Sequence, residues 1–331
     1  MGGIDFDQIE DDWADDEPGQ RANSKKLSVK AKAQLETHNT ARVIAVDRGR
    51  VTVLFEEAQV QARFAGAMRG TKVLVADEVR IKPPKHENDQ ARIVGLLDRV
   101  TTLTRTADDG VEEERVVVAN AEQVVVVLTA EWLEGGVGFL DRVLVAASVG
   151  GLQAIVCINK MDLVEPGSAR ADEITAVAAR YRAIGCPVVE TSAETEHGLD
   201  ELRELLRGHW SAFAGHSGVG KTSIFNALIP DMDRAVAVVG KRGGRHTTVA
   251  SFAHRVEPLN AWLIDTPGVR SFGLATVDAY DLADHFPEFS TLEPEQRLLL
   301  ENEGTLPEDL GIDPDRLAFY RRLRATLAED T

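Results

Sequence analysis

Eight consecutive residues, Gly215-His216-Ser217-Gly218-Val219-Gly220-Lys221-Thr222, fit the pattern G-x4-G-K-[ST] in full. Glycines let a backbone fold closely around phosphate oxygens, so that successive N–H groups and a helix N-terminus face the anion. In this pattern Lys221 reaches the β- and γ-phosphates, and the Thr222 hydroxyl ligates magnesium. About 45 residues further on stands Asp265-Thr266-Pro267-Gly268. There a carboxylate can hold the outer shell of the magnesium, and the Gly268 N–H can meet the γ-phosphate. A D-x-x-G is a common turn when it stands alone; after a complete phosphate loop it reads as the second half of a nucleoside-triphosphate site.

Two further segments read the base. In Asn159-Lys160-Met161-Asp162, the Asp162 carboxylate can accept two hydrogen bonds from guanine N1 and N2, a donor pair that adenine lacks, while the Lys160 stem lies over the base plane. In Thr191-Ser192-Ala193, the Ala193 N–H can meet guanine O6. The ligand predicted is GTP rather than ATP, with GDP and phosphate as products and Mg2+ as cofactor.

These residues work together only if a sheet brings them to one edge. Apolar runs precede every motif: Gln153–Ile158 before Asn159, Pro187–Glu190 before Thr191, Trp210–Ala214 before Gly215, and Ala261–Ile264 before Asp265. A further run, Val124–Leu128, is continuous, as in strands buried on both faces. Helices are predicted at 140–149, 169–183, 198–207 and from Lys221. The alternation predicts a doubly wound α/β sheet, in which ligands bind beyond the carboxyl ends of the strands. The motif order is unusual. Ordinary GTPases run phosphate loop, magnesium-binding threonine, D-x-x-G, N-K-x-D and S-A; here N-K-x-D and T-S-A come first, so the domain is a circularly permuted GTPase.

Residues 39–100 carry a different pattern. Val43–Val46 and Val51–Phe55 flank a turn at 47–49, and alternation continues through Val60, Ala62 and Phe64. Short apolar runs come next at Val73–Val75, at Val79 and Ile81, and at Ile93–Val94. Several short strands separated by turns predict a small β-barrel of OB type, a class that often binds nucleic acid. Few aromatic residues offer stacking here, so recognition of RNA would go through backbone and shape.

Charge sets the two ends apart. Residues 1–20 hold eight acids and no base, residues 277–331 hold fourteen acids against five bases, and 21–276 is balanced, within a total of −17. Residues 1–38 are expected to be a disordered leader, acidic and then basic (Arg21, Lys25, Lys26, Lys30, Lys32). Residues 277–331 are expected to be helical, with Leu317, Tyr320, Leu323 and Leu327 forming an apolar stripe and Arg316, Arg321, Arg322 and Arg324 around it. Local fields steer binding, so an acidic total does not exclude a nucleic-acid partner. Two cysteines make no disulfide framework: Cys157 is expected in the core and Cys186 in a loop. With no apolar run near the roughly 18–20 residues that span a bilayer, the expectation is a cytoplasmic protein without membrane contact.

A barrel followed by a permuted GTPase, a switch segment Gly244-Arg245-His246-Thr247-Thr248 and a junction running from Leu96 to Arg105 (LLDRVTTLTR) resemble the ribosome small-subunit-dependent GTPase A family, RsgA (YjeQ, YloQ). The resemblance covers roughly 40–275 and implies a barrel over 39–100, a GTPase domain over 101–276 and a C-terminal region over 277–331. It implies a GTP hydrolase that acts in late maturation of the 30S subunit, is stimulated by that subunit, contacts 16S rRNA, and is expected to be monomeric. It also implies a switch threonine on magnesium, Thr247 or Thr248, with Thr248 counted beside Lys221 among the catalytic groups. The family usually ends in a zinc domain with three cysteines and a histidine. Past Cys186 this chain has no cysteine, and its C-terminal region offers only His285, so no zinc is expected.

The residue after Gly268 is Val269, where many GTPases place a water-orienting glutamine; valine can neither donate nor accept, so intrinsic hydrolysis is expected to be slow. His246 is the local candidate for orienting the water, with contact to RNA or a solvent-exposed loop position as its other readings. Lys241, Arg242 and Arg245 suit a phosphate-rich partner. Because D-x-x-G leads straight into 277–331, ordering by the γ-phosphate could reposition that region. The alternative function is a GTP-dependent protein-binding switch no longer tied to the ribosome.

Overall fold

The computed structural model describes residues 39–47, 50–84, 86, 89–106, 114–229, 251–265, 272, 274, 277–302, 306 and 310–329. The leader expected over 1–38 lies outside them.

Five strands make the barrel: β1 (Asn39–Asp47), β2 (Arg50–Phe55), β3 (Ala58–Phe64), β4 (Glu78–Lys82) and β5 (Ala91–Leu96). They run in the order β1-β2-β3-β5-β4, and β4 returns to pair with β1, which closes the barrel; only the β3–β5 pair is parallel. Val43, Val51, Val53, Val79, Ile81 and Ile93 fill its interior without exposure. The Val73–Val75 run is not a strand. Its backbone is captured by the buried Asp77, whose carboxylate accepts from the Leu74 N–H at 2.7 Å, while Ala76 N–H and Val43 O meet at 2.7 Å. Val73 and Val75 still pack inward, so burial without ladder pairing explains their apolar character. Arg99, on the segment that leaves the barrel, holds the same carboxylate with two bonds, at 2.7 and 2.9 Å. Next comes a hairpin, β6 (Thr102–Thr106) with β7 (Glu114–Ala119), which the sequence pattern does not announce.

The second unit is the expected α/β sheet. Strands β8 (Gln123–Thr129), β9 (Gln153–Asn159), β10 (Val188–Glu190), β11 (Trp210–Ala214) and β13 (Ala261–Asp265) pair in parallel in the order β10-β9-β8-β11-β13, with β12 (Ser251–Val256) antiparallel at the edge. Alternate residues of β8 explain its unbroken apolar run. Val124, Val126 and Leu128 enter one core with helices α1 (Glu134–Val149) and α2 (Ala169–Ala183). Val125 and Val127 enter another with α3 (Leu199–Leu206) and α4 (Lys221–Leu228). Helix α1 starts six residues before the predicted Leu140. The glycines at 135, 136 and 138 hide its start in the sequence, and Gly136 packs so close to β8 that a Cβ would stand 2.9 Å from Leu128.

Barrel and GTPase unit share one sheet, because β1 pairs with β12 through Ala45–Phe252 and Val46–Ser251. Beside this seam the Arg42 guanidinium lies 3.9 Å from the centre of the Trp210 ring, which stacks on Trp262 at 4.7 Å. Such cation–π and offset stacking add to the apolar burial of the rings.

The C-terminal region has two short 3-10 turns, Leu282–His285 and Pro287–Phe289, then α5 (Pro294–Glu301) and α6 (Pro314–Glu329). On α6, Tyr320 and Leu323 are buried as the stripe predicts, but so is Arg316, at 1% exposure. Its guanidinium bonds Asp141 of α1 at 2.8 Å and Glu288 at 2.7 Å, and Asp141 also accepts from the Tyr181 hydroxyl at 2.7 Å. Arg316 belongs to the docking surface, a correction to its expected place around the stripe.

Candidate nucleotide-binding site

The carboxyl ends of β9, β10, β11 and β13 place Asn159, Thr191, Gly215 and Asp265 along one edge of the sheet. Beyond β11 the chain turns through Gly215 to Gly220 and enters α4 at Lys221 and Thr222, the strand–loop–helix setting that a phosphate cradle needs. Gly218 and Gly220 take φ of +86° and +99°, and at Gly220 a Cβ would lie 2.2 Å from Asn159 Nδ2. That closeness has a use. Asn159 Nδ2 donates to Val219 O at 3.0 Å, and Asn159 Oδ1 accepts from Thr191 Oγ1 at 3.2 Å. One buried side chain thus ties the ends of β9 and β10 to the phosphate loop. Ser217 and Gly218 stand exposed on the loop, with Val219 turned into the core.

Lys160 adopts left-handed backbone, φ +67° and ψ +37°, a conformation that a non-glycine residue keeps only when its surroundings hold it. Its ammonium bonds Glu131 at 2.6 Å, and this pairing holds the Glu131 carboxyl below its ordinary range. Nothing in the sequence points to Glu131, since the contact depends on β8 and β9 being neighbours. Ser192 Oγ donates to the Asp162 carboxylate and accepts from Thr195 N–H at 3.2 Å, which fixes the orientation of the carboxylate beside Ala193.

Lys221 Nζ donates to Gly215 O at 2.6 Å and to His216 O at 3.1 Å, so the cation lies along the loop. Burial pushes its pKa down, and Asp265 at the end of β13 opposes that shift. His254 on β12 is a second neighbour of Asp265 that no sequence motif marks. Burial lowers its pKa as well, again against the pull of Asp265. Thr222 is exposed and Asp265 half-buried. A hydroxyl and a carboxylate are the hard oxygen donors that suit magnesium, which takes few protein ligands and leaves positions for phosphate and water, so this pair fits the ion. Among the described residues no three His, Cys, Asp or Glu side chains gather as a metal site. His246, Thr247, Thr248, Gly268 and Val269 lie outside the described residues, as do Lys241, Arg242 and Arg245. The Cys157 thiol lies 3.3 Å from Thr191 Oγ1, and burial pushes its pKa up to about 12.

A phosphate loop after β11, an inner strand between β8 and β13, with the N-K-x-D and T-S-A segments on strands earlier in the chain, defines a circularly permuted P-loop GTPase preceded by an OB-type barrel. A family model described as RsgA GTPase matches residues 96–275. The chain is 37% identical over 267 residues to the small ribosomal subunit biogenesis GTPase RsgA of Gemmatimonas aurantiaca, an alignment covering 77% of this chain and 84% of that one. It is 37% identical over 232 residues to the protein of the same name from Chlorobaculum tepidum, covering 67% and 72%. Among solved structures, YjeQ from Thermotoga maritima matches at a TM-score of 0.66 and 26% identity, over 88% of this chain and 99% of that one. The circularly permuted GTPase YloQ matches in fold at 0.64, with 23% identity, over 89% and 96%. The chain belongs to the RsgA GTPase family.

Proposed function

We infer that this protein hydrolyses GTP to GDP and phosphate as an assembly factor of the small ribosomal subunit, acts in the cytoplasm, and is stimulated by the 30S particle. The observation that carries the reading is the Asn159 clasp, which holds the phosphate loop against the guanine-reading strands. The relatives' names supply the ribosomal subunit.

Phosphoryl transfer asks mainly for positioning and charge neutralisation. Lys221 moves from the carbonyls of Gly215 and His216 to the β- and γ-phosphate oxygens, and loop N–H groups meet the remaining charge. Thr222, Thr247 or Thr248, and Asp265 in the outer shell, would hold Mg2+, which when bound neutralises phosphate charge. Asp162 and Ala193 read guanine, and Gly268 N–H meets the γ-phosphate. His246 orients the attacking water in place of the glutamine that many GTPases carry where this chain has Val269.

The barrel supports a nucleic-acid partner such as 16S rRNA. Register sets Arg63 opposite Arg92 and Arg92 opposite Lys82 on its outer face. These exposed cations form a row that suits a phosphate backbone. The test is steady-state GTP hydrolysis with and without 30S subunits, with 50S as control. Stimulation by 30S alone is expected; slow turnover unchanged by either particle would point to the GTP-dependent protein-binding switch instead.

A further inference from the structure

Helix α1 carries no motif, yet two of its residues grip the chain just beyond the D-x-x-G segment. Phe139 is half-buried, with its ring centre 4.5 Å from that of His216, second residue of the phosphate loop, and 5.8 Å from that of Phe272. One turn along the helix, Arg142 Nε donates to the backbone carbonyl of Phe272 at 2.8 Å. Phe272 itself is fully buried. Ring and carbonyl of one residue are therefore held by i and i+3 positions of the same helix face, which neighbours the phosphate loop. At the other end Asp265 is set by its place in β13, paired with β11 through Phe213. Asp265 and Phe272 are thus both fixed to the body that carries the phosphate loop.

We propose that Phe139 and Arg142 are positioning residues for hydrolysis: with Phe139 packed on both His216 and Phe272, and Arg142 holding the Phe272 carbonyl, they set the far end of the segment that meets the γ-phosphate. This rests on the GTPase reading above, and it adds a role for a helix that the nucleotide motifs leave out. Neither residue belongs to the guanine-reading segments or to the magnesium donors. Their loss therefore separates γ-phosphate sensing from nucleotide binding in general. GDP has no γ-phosphate, so its affinity is insensitive to the Arg142 bond that holds Phe272. Binding of a triphosphate and the rate of its cleavage both depend on the anchor, because small misplacements of a reacting geometry cost rate steeply.

The experiment uses the full chain with Phe139→Leu and, separately, Arg142→Ala. A fluorescent GDP and a fluorescent non-hydrolysable GTP analogue are titrated, kcat and KM for GTP are measured, and thermal melting confirms folding. Expected is GDP affinity within about twofold of wild type, triphosphate-analogue affinity lower by about fivefold or more, and kcat lower by about tenfold. Equal weakening of both nucleotides, or no change in either, overturns the proposal. Arg142→Ala carries the decision if Phe139→Leu fails to fold, since it removes one hydrogen bond from a half-buried side chain. Wild-type protein that binds neither nucleotide would overturn the GTPase reading itself, a result distinct from any behaviour of the variants.

Discussion

Asp162 is held by Ser192 before any base arrives, so its two oxygens face the site in one orientation. Guanine offers N1–H and N2–H2 to that carboxylate, whereas xanthine presents an oxygen at C2. Asp162→Asn replaces one acceptor oxygen with a donor and removes the charge. Hydrogen bonds to charged groups are worth about 1.5–3 kcal/mol each, so GTP affinity should fall by about ten- to a hundredfold while xanthosine triphosphate gains relative to it. Competition against a fluorescent GDP reads both; unchanged discrimination would remove Asp162 from base reading. At this scale the sequence is informative wherever chemistry demands a residue type at a short spacing, as in Gly215 to Thr222. It is silent on Glu131, Phe139 and Phe272, whose partners lie far away in the chain and are chosen by strand order and helix placement.

Helix α1 shows what periodicity conveys and what it conceals. Its apolar face is visible from Leu140 onward, but no pattern marks Asp141 within it as a buried partner of Arg316 and Tyr181. Breaking such a pair from one side leaves carboxylates buried without their cation. Arg316→Met should lower stability by about 3–5 kcal/mol, and a compensating Asp141→Leu in the same chain should recover part of it. Urea unfolding monitored by tryptophan fluorescence measures both; an Arg316→Met midpoint equal to wild type would show the pair to be of no consequence. The strands of the parallel sheet are legible because burial on both faces leaves little that is polar in them. Hairpin β6–β7 and the captured loop at Val73–Val75 are not. The first sets its Asp109-Gly110 turn signal among charged residues in a seven-residue connection rather than between two alternating apolar runs, and the second owes its shape to the side chain of Asp77 rather than to any period of its own residues.

At the scale of the molecule, barrel, GTPase sheet and C-terminal helices are one packed body. The acidic C-terminal region docks on α1 and α2 through Arg316 and through Arg180, which bonds Asp313 at 2.8 Å and Asp315 at 2.7 Å. That docking ties residues 277–331 to the body that carries the phosphate loop; if γ-phosphate ordering repositions this region, hydrogen exchange across 270–331 should differ between the GTP- and GDP-bound states, and equal exchange would count against it. The barrel presents its basic row outward. If an RNA backbone covers that row, Arg63→Glu should weaken 30S association at every salt concentration and reduce the salt slope by about one counterion, read by cosedimentation. A slope identical to wild type would place the RNA elsewhere.

The strand order has a consequence for synthesis. Strand β11, which fills the gap between β8 and β13, is made after β8, β9 and β10, and the barrel's β1 meets β12 only when residues 251 and 252 emerge. Until β11 emerges a nascent chain carries a bare edge on β8, and until β12 emerges the end of β1 at Ala45 and Val46 lacks a partner on one side, each a template for pairing with a neighbouring chain. A protein permuted in this way completes its ligand site late in translation. Guanine nucleotide can therefore stabilise only chains that have been made at least as far as Asp265.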